Sequence, residues 1–163
     1  MKNLIALKEY AKTVKQKLEK FSSVQTMAFS CRLQGNKKEW KEKLGFQLET
    51  LVCLSKSKIE KYEIELKEEP IPHGVIALQF KNGAIARLAY TVTPLEEDYD
   101  WRIYTEKEEF VGTPLKNKLK YIRAGMLNRF QYCKMNGVTL TENSSFEKDC
   151  VTDIVVLEIL EKI

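Results

Sequence analysis

At 163 residues the chain is long enough to bury a sizeable core in a single domain, and a hydrophobic share of 44% is ordinary for a globular protein. Lys and Arg number 27 against 23 Asp and Glu, a net charge of only +4, with the two signs interleaved in runs such as IEKYEIELKEE. That balance argues against a nucleic-acid binder, which needs a clustered basic face, and no apolar run approaches the length of a membrane-spanning helix.

Residues 3–20 place Leu4, Leu7, Ala11, Val14, Leu18 and Phe21 at steps of three and four, which predicts a helix with one apolar stripe. Val24–Leu33 then alternates, with Met27, Phe29, Cys31 and Leu33 on one face and Thr26, Ala28, Ser30 and Arg32 on the other, so a strand is expected. Gln34-Gly35-Asn36 breaks it, residues 36–43 are polar apart from Trp40, and helical spacing returns from Leu44 to Leu54. Lys58–Leu66 reads as a strand with one wet face: Tyr62, Ile64 and Leu66 alternate with Lys61, Glu63 and Glu65. Pro70 and Pro72 cannot donate to a ladder, which makes their segment a loop.

Gly74–Thr93 is the stretch that organises the chain. Two alternating apolar runs meet at Asn82-Gly83, whose composition predicts a hairpin closed by a type I′ turn. After Pro94 and an acidic loop, Trp101, Ile103 and Thr105 mark a further strand, and a turn at Glu106-Lys107-Glu108 leads to another over Glu109–Gly112. Thr113 as N-cap and Pro114 at the first helical position predict a helix, its stripe running through Leu115, Leu119, Ile122, Met126, Phe130 and Cys133 to Asn136-Gly137. Ser144 and Glu147 form a capping box for a last helix with Ile154, Leu157 and Leu160 in line. The expected fold class is therefore α+β, an open, mostly antiparallel sheet with helices packed on one face. Residues 1–163 form one domain in this reading, the helix over 3–20 followed by a sheet-and-helix body over 24–163.

Motifs for chemistry are sparse. No glycine-rich phosphate cradle occurs, and no nucleophile, base and orienter can be assembled, so catalytic, cofactor-binding and metal-ligating residues are all expected to be absent. Glu96, Glu97, Asp98 and Asp100 match no calcium loop. Cys31, Cys53, Cys133 and Cys150 show no metal-ligand spacing, and reduced thiols in a cytoplasm are expected. The N-terminus runs straight into a charged amphipathic pattern, with no leader-like segment expected. Trp40, His73, Tyr99 and Tyr104 are the residues that could line a ligand groove.

ALQFKNGAIARLAYTVT followed by WRIYTEKEEF resembles the C-terminal domain of the glucose-fructose oxidoreductase and inositol dehydrogenase (Gfo/Idh/MocA) family, as do KLGFQLETLVCLSKSKIEKYEIEL and the closing SFEKDCVTDIVVLEILEKI. The resemblance implies an oxidoreductase-like domain that normally follows an NAD(P)-binding Rossmann domain. The one helix expected before Val24 cannot be such a domain, the family's Glu-Lys-Pro lysine is not found, and the stretch Leu44–Glu49 has neither the Asp nor the His that aids proton transfer there. The resemblance thus implies a stand-alone or split substrate or oligomerisation domain, inactive alone, with NAD(P) reached only through a separate Rossmann-type partner. The alternatives are a fragment or subunit of an NAD(P)-dependent sugar-type dehydrogenase, or an unrelated α+β small-molecule-binding module. The family also implies sheet-to-sheet packing in dimers. The outward alternates Val75, Ala77, Ile85 and Ala89 are apolar for a wet surface, which points to a homo-oligomer.

Overall fold

The structure, a computed structural model, describes residues 2–19, 23–116, 118–123, 131–134 and 153–163. It contains helices α1 (Lys2–Leu18), α2 (Lys37–Ser55) and α3 (Ile154–Lys162). Eight strands form one sheet: β1 (Val24–Leu33), β2 (Ile59–Lys67), β3 (His73–Phe80), β4 (Ile85–Val92), β5 (Asp98–Thr105), β6 (Glu108–Thr113), β7 (Lys118–Arg123) and β8 (Gln131–Lys134). Their order is β2-β3-β4-β1-β5-β6-β7-β8, and among the described residues only the β1–β4 pair is parallel. After β1 the chain crosses through α2 to the edge, and the meander β2-β3-β4 returns to lie beside β1. The helices cover one face, as the amphipathic stripes require.

Strand alternation decides what that face buries. Met27, Phe29, Cys31 and Leu33 of β1, Ile76, Leu78 and Phe80 of β3, Ala86, Leu88 and Tyr90 of β4, and Tyr99, Trp101 and Ile103 of β5 all point into the core. Trp101 is its centre, stacked on Phe29 at 4.5 Å between ring centroids and met edge-on by Tyr10 of α1 at 5.4 Å.

The helix α2 starts seven residues before the expected Leu44. Asn36 and Glu39 form a reciprocal capping box, Asn36 Oδ1 accepting from the Glu39 amide (3.0 Å) and Glu39 Oε2 from the Asn36 amide (2.9 Å). The polar segment before Leu44 is thus the solvated first turns of the helix, with Trp40 on its buried side. At the Asn82-Gly83 hairpin only Gly83 has positive φ (89°), so the turn is not type I′. The Gly83 amide donates to the Phe80 carbonyl and the Phe80 amide to the Ala84 carbonyl, a three-residue loop closed by a left-handed glycine. Asn82 is not among the positive-φ residues and uses its side chain instead, donating to the Ser55 carbonyl (2.9 Å) and accepting from the Ala84 amide (3.1 Å).

Two expectations are overturned after Thr113. The helix from Pro114 is a three-residue 3-10 turn, followed by β7 against β6 and β8 against β7. Leu115, Leu119 and Ile122 fit helical spacing, but KLKYIR also alternates, and the unpaired edge of β6 offers a full ladder that decides the contest. Met126, Phe130, Asn136 and Gly137 lie outside the described residues. The last helix has another phase than expected: Val156, Ile159 and Ile163 are buried, whereas Ile154 and Leu157 are 77% and 57% exposed. Its N-cap is Asp153, which accepts from the Val155 amide through Oδ1 and from the Ile59 amide through Oδ2, fixing helix and strand together. Ser144 and Glu147 lie outside the described residues. Cys53 is disulfide-bonded, against the expectation of reduced thiols, while Cys31 is free and buried.

Candidate functional site

The face of the sheet away from the helices is uncovered among the described residues, and the strand registers set out its surface in rows. One row runs Lys67, His73, Thr91, Arg32, Asp98. The next runs Glu65, Val75, Ala89, Ser30, Asp100, and the third Glu63, Ala77, Arg87, Ala28, Arg102, Val111. A fourth runs from Lys61 through Gln79, Ile85, Thr26 and Tyr104 to Glu109. The middle of this face is a valley of small side chains: Val75, Ala77, Ala89, Ala28 and Ser30. Charges rim it, with Arg32 facing Asp98 at 3.4 Å and Arg102 facing Asp100 at 3.6 Å, both pairs well exposed.

The first two rows form an open groove of about 870 Å³ whose walls include Arg32, His73, Val75, Ala89, Thr91 and Asp100. His73 Nδ1 lies 2.8 Å from the Ile71 carbonyl. A carbonyl can only accept, so Nδ1 is the donor in this contact.

Behind the groove sits a buried ionic network. Lys43 of α2 donates to Glu97 Oε2 at 2.7 Å, and the Tyr99 hydroxyl donates to Glu97 Oε1. Burial pushes the Tyr99 hydroxyl far above the ordinary tyrosine range, and its bond to Glu97 adds to the effect. The Cys31 thiol is pushed up by burial and then by the Glu97 charge, so it is a packed thiol and not a nucleophile. Sequence reading missed Lys43 with Glu97, because partners 54 positions apart leave no local signal. Gln47 was missed too: fully buried in α2, it accepts from Trp101 Nε1 at 2.7 Å, and its own Nε2 has no partner among the described residues. A glutamine on a helix's apolar stripe was the available signal.

Trp40, His73, Tyr99 and Tyr104 are not brought together. Trp40 is buried on the helix side and stacks on Tyr90 at 5.9 Å, and Tyr99 is buried beneath the groove. His73 and Tyr104 are on the open face, but in its first and fourth rows. Val75 and Ala89 line the groove, Ala77 lies one row on, and Ile85 is 55% exposed in the fourth row. The acidic run also disperses: Glu97 turns inward to Lys43 while Asp98 and Asp100 face the open side. Among the described residues no group of three or more His, Cys, Asp or Glu side chains is placed to hold a metal ion, and no helix is long and apolar enough to cross a membrane.

No family model matches the sequence, and no curated protein matches it. Solved structures do match the fold. UDP-N-acetylglucosamine 3-dehydrogenase GnnA from Acidithiobacillus ferrooxidans superposes with a TM-score of 0.68 at 11% identity, over 84% of this chain and 46% of that one. Levoglucosan dehydrogenase in complex with NADH and levoglucosan matches at 0.62 and 8% identity, over 97% of this chain and 52% of that one. A super-repressor mutant of Gal80p from Saccharomyces cerevisiae matches at 0.65 and 8% identity, over 83% of this chain and 46% of that one. The chain thus spans about half the length of the solved structures it matches. Its fold is that of the C-terminal domain of Gfo/Idh/MocA-type oxidoreductases.

Proposed function

We propose that this chain is an assembly domain of oxidoreductase type, acting through contacts of its open sheet face and carrying no catalysis by itself. The observation behind this is the uncovered face itself, with a valley of small apolar side chains at its centre and Ile85 exposed beside it. The helix stretch Leu44–Glu49 supports the reading from the other side of the sheet. There Leu44, Gly45, Phe46, Gln47 and Leu48 are all buried in packing and carry no acid or base, and Glu49, the stretch's one carboxylate, is exposed and only a loose substitute for the family's Asp and His. The partner is a second copy of this chain or a Rossmann-type chain, and in this reading NAD(P) is met only on the latter.

A second reading is favoured by the half-length match to dehydrogenases, one of them solved with NADH and levoglucosan: the chain is the substrate-side portion or subunit of an NAD(P)-dependent sugar-type dehydrogenase. Calorimetric titration with NAD(H) and NADP(H) tests the first reading. No binding is expected, and a micromolar dissociation constant for the chain alone would overturn it. The proposal also takes the cytoplasm as the working compartment. The Cys53 disulfide opposes this, and thiol titration of protein taken from its own cell decides the point.

A further inference from the structure

From the geometry of the groove, and apart from the assembly reading, we propose that it holds a small carboxylic acid with a hydrogen-bond donor on its α-carbon and an apolar body, that is, an α-amino or α-hydroxy acid. Its volume of about 870 Å³ lies within the roughly 300–1,000 Å³ of small-molecule sites. The registers lay out its floor. Thr91 of β4 is the partner of Arg32 of β1, and His73 stands beside Thr91 on β3. One row on, Ala89 is the partner of Ser30, Val75 flanks Ala89 on β3, and Asp100 flanks Ser30 on β5. Neighbouring strands are about 4.8 Å apart, and successive outward residues of one strand about 6.6 Å. A hydroxyl and a guanidinium thus stand side by side in one row, a hydroxyl and a carboxylate in the next, and two short apolar side chains fill the remaining corner.

These groups are open to a ligand. The Ser30 and Thr91 hydroxyls make no hydrogen bond to another described residue. Arg32 gives one N–H to Asp98 at 3.4 Å, a long and exposed contact that contributes little, and the rest of its fork remains for an anion. Asp100 meets Arg102 at 3.6 Å in an equally exposed pair. The corners then set the chemistry. A carboxylate is met over Thr91 and Arg32. An ammonium or hydroxyl on the next carbon reaches the Ser30–Asp100 pair, because two hydrogen bonds of about 2.9 Å joined through the α-carbon span the gap of about 6.6 Å between rows. The body of the molecule covers Val75 and Ala89. A plain carboxylic acid satisfies the first and last corners but lays C–H surface over Asp100, stripping water from a carboxylate without replacing its hydrogen bonds. A plain amine or alcohol leaves Arg32 without an anion. The donor beside the carboxylate is what the groove selects.

The experiment is calorimetric titration of the full chain with L-phenylalanine, L-3-phenyllactate and 3-phenylpropionate, which share one frame and differ only in an ammonium, a hydroxyl or a hydrogen on the α-carbon. A dissociation constant of about 1 mM or tighter is expected for at least one of the first two, and one at least about tenfold weaker for phenylpropionate. Arg32→Gln is expected to weaken binding of the preferred acid at least about tenfold. A chain carrying both Ser30→Ala and Asp100→Ala is expected to bind the preferred acid within about threefold of phenylpropionate, whose own binding stays as in the parent. All three positions face outward, thermal unfolding checks that the variants fold, and the parent's selectivity is read without any variant. Preference for phenylalanine identifies the donor as an ammonium, preference for phenyllactate as a hydroxyl, and either supports the site. No binding of any of the three acids at about 20 mM, phenylpropionate bound as tightly as the other two, or an Arg32→Gln chain that binds as the parent does overturns the inference.

Discussion

Trp101→Phe is expected to destabilise the fold by about 2–4 kcal/mol. The ring is 1% exposed and its Nε1 donates to Gln47 Oε1 at 2.7 Å. Phenylalanine keeps an aromatic ring near Phe29 and Tyr10 but loses part of those contacts, at a cost of about 1 kcal/mol. The Gln47 amide accounts for the greater share. Its Nε2 already lacks a partner among the described residues, and the substitution strips its oxygen as well, at about 1–3 kcal/mol for a buried group left unmade. Gln47→Leu alone is expected to change stability by no more than about 1 kcal/mol, since it orphans the indole N–H but removes the amide nitrogen that has no partner. Placing both changes in one chain removes donor and acceptor together, and Trp101→Phe is then expected to cost only the lost ring contacts. Urea unfolding of the four proteins without reductant, followed by tryptophan fluorescence and circular dichroism, gives the double-mutant cycle. Equal costs of Trp101→Phe with and without Gln47→Leu would refute the reasoning.

Lys43→Met leaves Glu97 charged and buried without its 2.7 Å partner, and a loss of about 3–5 kcal/mol is expected by urea unfolding; a loss under about 1 kcal/mol contradicts a buried pair. Burial, the largest cause in each case, raises Tyr10, Tyr90 and Tyr99 above their ordinary 10.0 in the folded state, so folding retains their protons. Their contribution is complete below about pH 10 and is lost as pH climbs beyond it, by up to about 1.4 kcal/mol per unit for each group; Tyr99→Phe should flatten that slope, and stability that holds flat above about pH 10 counts against the burial. Gly74→Ala would set its new Cβ 2.6 Å from the Glu65 carbonyl oxygen and is expected to cost about 1–3 kcal/mol by prising β2 from β3, read as a lowered melting temperature. In α3, Ile159→Ala should cost about 2–4 kcal/mol while Leu157→Glu stays within about 0.5 kcal/mol; the reverse order would restore the phase expected from sequence.

Most elements before Thr113 were legible because each carries its own period; the solvated first turns of α2 before Leu44 carry none. Alternation along Val24–Leu33 and Gly74–Thr93 named both the strands and their buried faces, and with them the outward set Val75, Ala77, Ile85 and Ala89. Illegible features depend on partners far along the chain. KLKYIR satisfies both periods, and only the free edge of β6 selects the strand. In α3 nearly every residue of IVVLEIL is apolar, so the stripe is set by α2 and the sheet and not by spacing. Asn82 could have supplied a second positive φ, but its side chain found the Ser55 carbonyl, a contact across 27 residues. The groove on the open face was only half readable: alternation gave its apolar floor, while the meeting of Arg32 with Asp98 needed the β1–β5 pairing.

The claim that the open face is an interface is tested most directly by sedimentation equilibrium of the chain beside Ala89→Arg. Ala89 lies in the small-residue valley on β4, partly buried on the outward face, where a long charged side chain can extend away from the core. A dimer is expected for the parent chain in the micromolar range or tighter, and a folded monomer for Ala89→Arg with an unchanged melting temperature at low concentration. A parent chain that stays monomeric at several hundred micromolar, or an Ala89→Arg variant that dimerises as the parent does, would contradict it.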